Sequence, residues 1–345
     1  MKKILTGIVI MTLFGSVGLR AQDIHFSQFY ETSILRNPSF TGIFTGDYKV
    51  GVVYRSQWSS ISKPYQTALV TAETRMPVRG MANDFVSIGL LAYYDKAGSV
   101  SLQTLTLYPA LNYNKSLSSQ TNTFLSVGFT GGLIQRSFDP TKATFDNQYQ
   151  NGKYDPAYAT GENLPDPSFN QLDMGAGVSF NTTTGQDNNI NIVLGVAGYH
   201  FSRPKYSFYN DRNINIGMRL NASAGLSVQA NEVLSYQLHA NYMKQGTYTE
   251  TIAGGLIGWN KMEPSSSTIL FSLMGGVFYR FGDALIPTVK VRYEGLSFGM
   301  SYDANVSKLT AASNLRGGFE LTIVKTGLFR DPKYQKARTL CPHFY

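Results

Sequence analysis

The chain has 345 residues, of which 43% are hydrophobic and only 15% are charged, and it is rich in Gly, Tyr and Phe. This composition excludes a disordered chain, and it favours one large or two ordinary domains of β-structure over a helical protein. The formal charge of +8 comes from scattered Lys and Arg residues without a run of five, so nothing in the charge pattern indicates nucleic-acid binding.

The first 21 residues have the pattern of a secretory signal peptide. Lys2 and Lys3 precede an apolar stretch at residues 4–13, and Ala21 offers a small residue before a cleavage point. The alternative is an N-terminal membrane helix, for which the apolar stretch is short. Removal of residues 1–21 takes away three basic residues and lowers the formal charge from +8 to +5. We therefore expect an exported protein.

Long stretches that alternate apolar and polar residues follow. In residues 218–229, MRLNASAGLSVQ, every second side chain is apolar and those between are polar or small. A period of two predicts a β-strand with two unlike faces. The same pattern predicts about fourteen strands and no helix of convincing length. The strands are predicted at residues 46–58, 64–76, 85–95, 99–113, 122–136, 170–182, 188–201, 213–229, 232–244, 248–260, 267–281, 285–293, 295–303 and 316–325.

The length of these strands indicates what the apolar face contacts. Strands in soluble proteins usually have about five or six residues, whereas a tilted strand that crosses a bilayer needs about nine to eleven. Many stretches here are that long, and aromatic residues such as Tyr54, Trp58 and Trp259 lie towards strand ends, as at membrane interfaces. An open sheet edge cannot be satisfied in hydrocarbon. The sequence therefore predicts an all-β fold, an antiparallel up-and-down outer-membrane β-barrel, with a soluble sandwich or solenoid as the alternative.

The predicted connections and the width of the barrel raise the question of a plug. The longest connections, 137–169, 202–212 and 304–315, all follow odd-numbered strands, which makes them extracellular if both chain ends are periplasmic. Strand side chains alone do not fill a barrel of about fourteen strands, so the lumen either conducts or is plugged. Two segments are candidate plugs: residues 22–44 before the barrel, and the loop 137–169. We divide the chain into a signal peptide (1–21), a periplasmic or luminal pre-barrel segment (22–44), the barrel (45–325) and a basic periplasmic tail (326–345).

Three groups of residues are candidates for partner contact. Asn37 before Pro38 favours extended or turn geometry, and Gly42 permits a positive φ, so this segment either docks in the lumen or on a partner, or simply turns into the first strand. Near the last outer loop, Asp303 and Glu320 lie on the polar face or the rim.

Arg316 is a possible ion-pair partner for either of these acids, and Gly317 and Gly318 allow the hairpin to bend. Cys341 is the single cysteine, so it has no partner for a disulfide within the chain. It either bridges to another protein or stays free.

Several phrases of the sequence resemble one known family. They are QDIHFSQFYETSILRNPSFTG, YKVGVVYRSQWSSI, GYHFSRPKYSFY, SYDANVSKLTAASNLRGGFELTI and the terminal CPHFY. Together they resemble the PorP/SprF family of type IX secretion system membrane proteins. Phe26, Gln28, Asn37, Pro38, Gly42, Asp303, Gly317, Gly318, Glu320, Cys341 and Pro342 are the family-motif or partner-contact candidates within them.

The resemblance implies an outer-membrane barrel of Bacteroidota that serves type IX secretion. It implies partners among the periplasmic ring and peptidoglycan-binding components, and among secreted cargo such as surface or gliding adhesins. No cofactor is implied.

Two other functions remain as alternatives. A lumen rich in Ser, Asn, Gln and Thr suits a diffusion porin or a solute-uptake channel. An outer-membrane hydrolase is the other, because His239 shares a polar face with Ser235 and Asn241. The four His residues lack metal-ligand spacing such as HExxH. We expect no metal, no cofactor and no enzymatic activity.

Overall fold

A computed structural model describes most of the chain. The described residues are 23–59, 63–81, 83–118, 120–162, 167–209, 211, 213–262, 269–307 and 314–329. The predicted signal peptide, Cys341, Pro342 and most of the predicted tail lie outside them.

Fourteen antiparallel strands form a closed barrel. All fourteen predicted strands are confirmed. The strands are β1 Tyr48–Gln57, β2 Tyr65–Pro77, β3 Phe85–Ala97, β4 Leu102–Ser118, β5 Thr123–Ser137, β6 Tyr149–Gln150, β7 Lys153–Tyr154, β8 Ser168–Thr184, β9 Ile190–Tyr199, β10 Arg219–Gln229, β11 Leu234–Gln245, β12 Tyr248–Met262, β13 Ile269–Arg280, β14 Ala284–Tyr293, β15 Leu296–Asn305 and β16 Arg316–Gly327. Strands that follow one another in the barrel are paired, with β5 next to β8, and the first strand pairs with the last. Only β6 and β7 stand apart, as a two-stranded hairpin within the longest loop.

The two faces of each strand have the predicted environments. Along β10, Leu220 on the outer face is exposed, whereas Asn221 and Ser223 on the inner face are buried. The outer face is an apolar band, and the lumen is lined by Ser, Thr, Asn, Gln and charged residues. Alternation therefore places the apolar residues where lipid would lie and the polar residues inside.

The start of strand β10 departs most from its predicted position. We predicted a strand over residues 213–229, but β10 begins at Arg219, opposite Gln245 at the end of β11. The turn between β11 and β12 consists of only residues 246–247, so residues 213–218 project beyond the neighbouring hairpin. A pattern read along one strand does not show where its neighbour ends.

The two ends of the barrel differ in the length of their connections. The three longest, residues 138–167, 200–218 and 306–315, all lie at one end, which we call the long-loop end. The other end, which we call the short-turn end, carries the start of β1 and the end of β16. This is the asymmetry expected from the sequence.

The helices are short. One α-helical turn covers Ser33–Arg36, and 3₁₀ turns cover Phe29–Glu31, Pro38–Phe40, Pro140–Lys142, Asp146–Gln148 and Gln186–Asn188. Within the described part of the chain, no helix has the length and apolar character needed to cross a membrane.

Candidate functional site: the luminal plug

Residues 23–44 lie inside the barrel and form a plug, the name we use for this segment from here on. Every residue from Phe26 to Phe44 is buried. The segment begins at the long-loop end, where the Asp23 amide donates to Gln245 Oε1 at 3.0 Å. It leaves at the short-turn end, where Arg75 Nη1 donates to the Phe44 carbonyl at 3.2 Å. The chain therefore runs the length of the lumen before β1 begins.

The first half of the plug, residues 23–31, is held by a carboxylate of β16. The two oxygens of Glu320 accept the consecutive backbone amides of Ser27 and Gln28 at 2.8 and 2.7 Å. The Gln28 side chain is also recognised, because its Oε1 accepts the Thr322 hydroxyl at 2.9 Å and its Nε2 approaches Ser301 Oγ at 3.4 Å. Hydrogen bonds to a charged acceptor are stronger than neutral ones, so Glu320 is a firm anchor.

A cluster of buried charges surrounds the Ser27 hydroxyl. Arg55 Nη1 and Arg280 Nη2 donate to Ser27 Oγ at 2.6 and 2.7 Å, and Ser27 Oγ donates to Asp303 at 2.5 Å. The arginines also pair with acids of the wall: Arg55 contacts Asp303 at 2.8 Å and Glu320 at 3.1 Å, and Arg280 contacts Asp303 at 3.0 Å. Buried charges persist only where they are paired and hydrogen-bonded, and here the plug completes the set.

The middle of the plug crosses the lumen. The Tyr30 ring stacks on His239 of β11 and on Phe278 of β13, with centroids 4.9 and 5.2 Å apart. Glu31 accepts from Lys290 of β14 at 2.5 Å. Strand β10, which adjoins β11, receives the next residues, since Arg219 Nη2 donates to the Leu35 carbonyl at 3.0 Å.

The second half of the plug, residues 37–44, rests on glycines of the opposite wall. Asn37 Oδ1 accepts the Ser39 amide at 2.9 Å, which caps the 3₁₀ turn at Pro38. A Cβ at Gly128 would come within 2.3 Å of the Pro38 and Ser39 backbone, and a Cβ at Gly177 would come within 2.0 Å of Asn37 Oδ1. Only glycine lets the plug approach the wall this closely. We call the part of the wall formed by Gly128 and Gly177 the glycine cradle.

Hydrogen bonds from the wall complete this cradle. Asn112 Nδ2 on β4 donates to the carbonyls of Ser39 and Thr41, at 2.8 Å in both cases. Gly42 has a φ of +80°, and its amide donates to Glu73 Oε2 at 2.9 Å. The positive φ expected for Gly42 is therefore present, and it serves to turn the plug towards the short-turn end.

The outer end of the plug is tied to the barrel through His200, which follows β9 at the long-loop end. Its ring nitrogens lie 2.6 Å from Asp23 and 2.8 Å from Asp173, and Arg219 lies 2.9 Å from Asp23. Burial opposes the positive charge of the ring, but the two carboxylates outweigh it and raise the pKa of His200 to about 9. Asp23 is thus held to the barrel by ionic contacts.

Two cavities flank this outer end. One has a volume of about 570 Å³ and is lined by Asp23, Arg203, Tyr206 and residues 213–218. The other has a volume of about 280 Å³ and reaches the charge cluster, because His25, Glu250, Arg280 and Asp303 line it. Both are at the long-loop end, so this end gives access to the first half of the plug.

The structure brings most of the predicted residues to the plug and its wall. Phe26, Gln28, Asn37, Pro38 and Gly42 belong to the plug itself and are buried in the lumen. They contact the barrel of the same chain. In the other candidate plug, loop 137–169, the described residues (137–162 and 167–169) form a largely exposed cap at the long-loop end that includes the β6–β7 hairpin.

The charged residues of the last hairpin also meet the plug, but with other partners than expected. Asp303 and Glu320 pair with Arg55 and Arg280, whereas Arg316 lies exposed at the start of β16. These pairs replace the pair with Arg316 that the sequence suggested, because closure of the barrel pairs β1 with β16 and sets Arg55 directly opposite Glu320.

Gly317 and Gly318 allow the outer ends of the strands to approach. A Cβ on Gly317 would lie 2.4 Å from the Asp303 carbonyl, and one on Gly318 would lie 2.6 Å from the Ser56 carbonyl. The first contact coincides with a register shift between Asp303 and Ala304.

Arg55, Arg280 and Lys290 are site residues that sequence reasoning missed. The available signal was a charged residue on the luminal face of a membrane strand, a position where charges require partners. In the described part of the chain, no group of three or more His, Cys, Asp or Glu side chains is placed to hold a metal ion.

A closed barrel with an apolar outer band, a polar lumen and long loops at one end has the architecture of an outer-membrane β-barrel. Residues 19–324 match the family described as type IX secretion system membrane protein PorP/SprF. The chain belongs to this family.

Solved structures of other barrels resemble it in part. A deltaS2 mutant of the monoaromatic hydrocarbon channel TodX shares 10% identity, with a TM-score of 0.47, over 85% of this chain and 93% of that one. The monoaromatic hydrocarbon channel CymD shares 10% identity with a TM-score of 0.45, over 86% and 92% of the two chains. BamA from Haemophilus ducreyi shares 8% identity with a TM-score of 0.37, over 81% and 70%. No curated protein matches the chain.

Proposed function

We propose that this protein is a plugged outer-membrane component of the type IX secretion system of a Bacteroidota cell, exported by a signal peptide. In this role it supports the export or surface attachment of cargo proteins such as adhesins, including those of gliding motility. It also links the secretion machine to the outer membrane. Family membership supports the proposal, and the filled lumen is the structural observation that carries it.

The plug favours a role in protein attachment over free diffusion. On one side of the barrel, Glu320 of β16 accepts the Gln28 amide. On the opposite side, Asn37 Nδ2 donates to the Val178 carbonyl of β8 at 3.2 Å. A porin of open lumen has no such segment, and strand side chains do not fill a barrel of this size. The lumen is therefore occupied by a segment that recognises its wall residue by residue.

Two surfaces of the barrel suit two kinds of partner. If the long-loop end is extracellular, as is general for such barrels, its cap faces secreted cargo. The β6–β7 hairpin there exposes Tyr149 and Tyr154, a residue type common in protein-binding surfaces. The short-turn end then faces the periplasmic ring and peptidoglycan-binding components, and the chain leaves the barrel there towards its basic tail.

Deletion and complementation test the proposal. A strain of the source bacterium without the gene should lose surface-attached cargo, which mass spectrometry of surface-shaved peptides would quantify. Reintroduced wild-type protein should restore the cargo and should co-purify with ring components after mild solubilisation. Unchanged surface cargo in the deletion strain would end the proposal. The matched control is an unrelated outer-membrane barrel expressed from the same plasmid.

Conductance separates this function from the porin alternative. Purified protein in a planar bilayer should be silent or nearly so, because residues 26–44 are buried in the lumen. Large, stable single-channel steps from the wild-type protein would favour a diffusion channel instead.

We also propose that the protein acts without catalysis. His239, the residue considered for a hydrolase, is buried and its ring stacks on Tyr30 of the plug. This contact gives the histidine a packing role. The substitution His239→Gln should leave lipid release by membranes unchanged, and a loss of lipid release would contradict the proposal.

A further inference from the structure

The wall around Ser27 and Gln28 binds this part of the plug through both the plug backbone and the plug side chains. Glu320 binds two consecutive amides, and the Arg55, Arg280 and Asp303 cluster binds the hydroxyl. The Gln28 amide has its own subsite, formed by Thr322 and Ser301. Contacts to backbone and to specific side chains together are the hallmark of a peptide-binding site.

The subsite for Gln28 is also shaped for this side chain. A Cβ on Gly299 would lie 2.2 Å from Gln28 Oε1, so the wall is open where the glutamine enters. Gln28 Nε2 also approaches the Glu320 carbonyl, at 3.3 Å. A small hydroxyl residue followed by glutamine is thus the sequence that this wall selects.

The bound segment is separable from the rest of the plug. Residues 23–31 contact the wall by side-chain and backbone hydrogen bonds and take no part in the strand ladder of the barrel. Residues 37–44 are anchored independently by the glycine cradle and by Asn112 on the other side. Withdrawal of the first half would therefore leave both the barrel and the second half in place.

The site can be reached from the long-loop end. The cavity of about 280 Å³ opens beside residue 25 and is lined by Arg280 and Asp303 of the cluster itself. A chain that enters this cavity meets His25 of the plug together with Arg280 and Asp303, two of the charges that hold Ser27.

We propose that this wall is a peptide-binding site that the plug occupies in the resting protein, and that an extended Ser-Gln segment of a partner protein takes the place of Ser27 and Gln28. The inference rests on the proposed function in that the partner is a protein that reaches the outer surface. The first half of the plug then competes with the partner segment for this site, and the second half stays in place and closes the lumen.

Competition within one chain sets the conditions for exchange. A tethered segment has an effective concentration on the order of millimolar, so a partner peptide binds well only when the internal segment is weakened or the partner is itself tethered nearby. Wild-type protein should therefore bind a free peptide weakly, and a protein with a weakened internal segment should bind it strongly.

Fluorescence anisotropy with a labelled peptide of residues 23–32, DIHFSQFYET, tests the exchange in full-length protein in detergent. The double variant Ser27→Ala/Gln28→Ala weakens the internal segment and keeps every wall residue. It should bind the peptide at least about tenfold more tightly than wild type. Addition of Glu320→Gln should abolish the gain, because an amide nitrogen then faces the peptide amides.

The control peptide DIHFAAFYET carries alanine at both positions and should bind the double variant about tenfold more weakly. Equal binding of the two peptides, or no binding by the double variant, overturns the inference. If the double variant does not fold, as judged by heat-modifiable migration in electrophoresis, Gln28→Ala alone gives the same comparison. Failure of peptide binding with normal complementation of surface cargo would refute this inference and leave the proposed function standing, whereas normal surface cargo in the deletion strain would refute the proposed function.

Discussion

The two halves of the plug are held to the barrel by different physical means. Residues 23–31 are held by charges: two arginines, two carboxylates and a lysine meet a serine, two amides and a glutamate. Residues 37–44 are held mainly by shape, in a cradle where glycines replace side chains and one asparagine binds two carbonyls. Charged side chains contribute two contacts there, from Glu73 and Arg75 to the plug backbone. Charged contacts can be exchanged with those of a competitor, whereas a close backbone fit cannot.

The two kinds of contact give the two halves of the plug separate roles. Each ionic contact of the first half could be offered equally well by another chain of suitable sequence. The second half fits only because Gly128 and Gly177 lack side chains. A plug with one replaceable half and one fixed half can respond to a partner without opening the barrel.

The largest expected effect comes from Arg55→Met, which removes a cation between two buried acids. Arg55 contacts both Asp303 and Glu320. Its loss leaves Glu320 without its cation and Asp303 with Arg280 alone, which should cost about 3–5 kcal/mol in the free energy of unfolding. Urea titration in lipid vesicles measures the change. The exposed Arg316→Met is the matched control and should stay close to wild type. If the two variants unfold alike, the charge cluster does not hold the first half.

Gly128→Ala addresses the second half. The new methyl group would lie 2.3 Å from the Pro38 and Ser39 backbone, which cannot move aside, so we expect a destabilisation of about 1–3 kcal/mol. Displacement of the plug should also produce channel steps in a planar bilayer where the wild type is silent. Gly275→Ala is the control, because nothing lies within 4 Å of its Cβ position. A silent, fully stable Gly128→Ala protein would contradict the cradle.

Gln28→Ala should have a smaller effect, about 1–2 kcal/mol, because neutral hydrogen bonds to Thr322 and Ser301 are lost while the backbone contacts to Glu320 remain. Proteolysis from the long-loop end should become faster at residues 23–31 and stay unchanged at residues 37–44. Equal acceleration in both halves would show that the plug leaves as one unit.

The smallest effect is a local dependence on pH at the outer end of the plug. The pKa of His200 is raised to about 9 from an ordinary value of 6.5, so the protonated ring stabilises the folded state. This stabilisation is complete below pH 6.5 and is lost as the pH rises through about 9. Hydrogen exchange near Asp23 should therefore increase between pH 7 and pH 10. In His200→Gln, exchange corrected for its intrinsic pH dependence should show no such step, and a step that persists would assign it to another group.

The sequence specified the barrel but not the fit of the plug. Period-two alternation and strand length depend on neighbours within a few residues, so fourteen strands could be predicted. The Ser27 amide and its acceptor Glu320 are 293 positions apart, and no local pattern joins them. Arg55 and Arg280 were visible as charges on luminal faces, but their partners depend on closure of the barrel, which pairs β1 with β16 and sets Arg55 opposite Glu320.

The same distance along the chain has a consequence for biogenesis. Glu320 and Thr322, which receive Ser27 and Gln28, lie on β16, and β16 closes the barrel against β1. Ser27 and Gln28 therefore cannot find their binding surface until the last strand of the barrel has been synthesised and inserted. Binding of the first half of the plug and closure of the barrel thus occur together, late in assembly. A truncated chain without β16 would lack both Glu320 and the strand that pairs with β1.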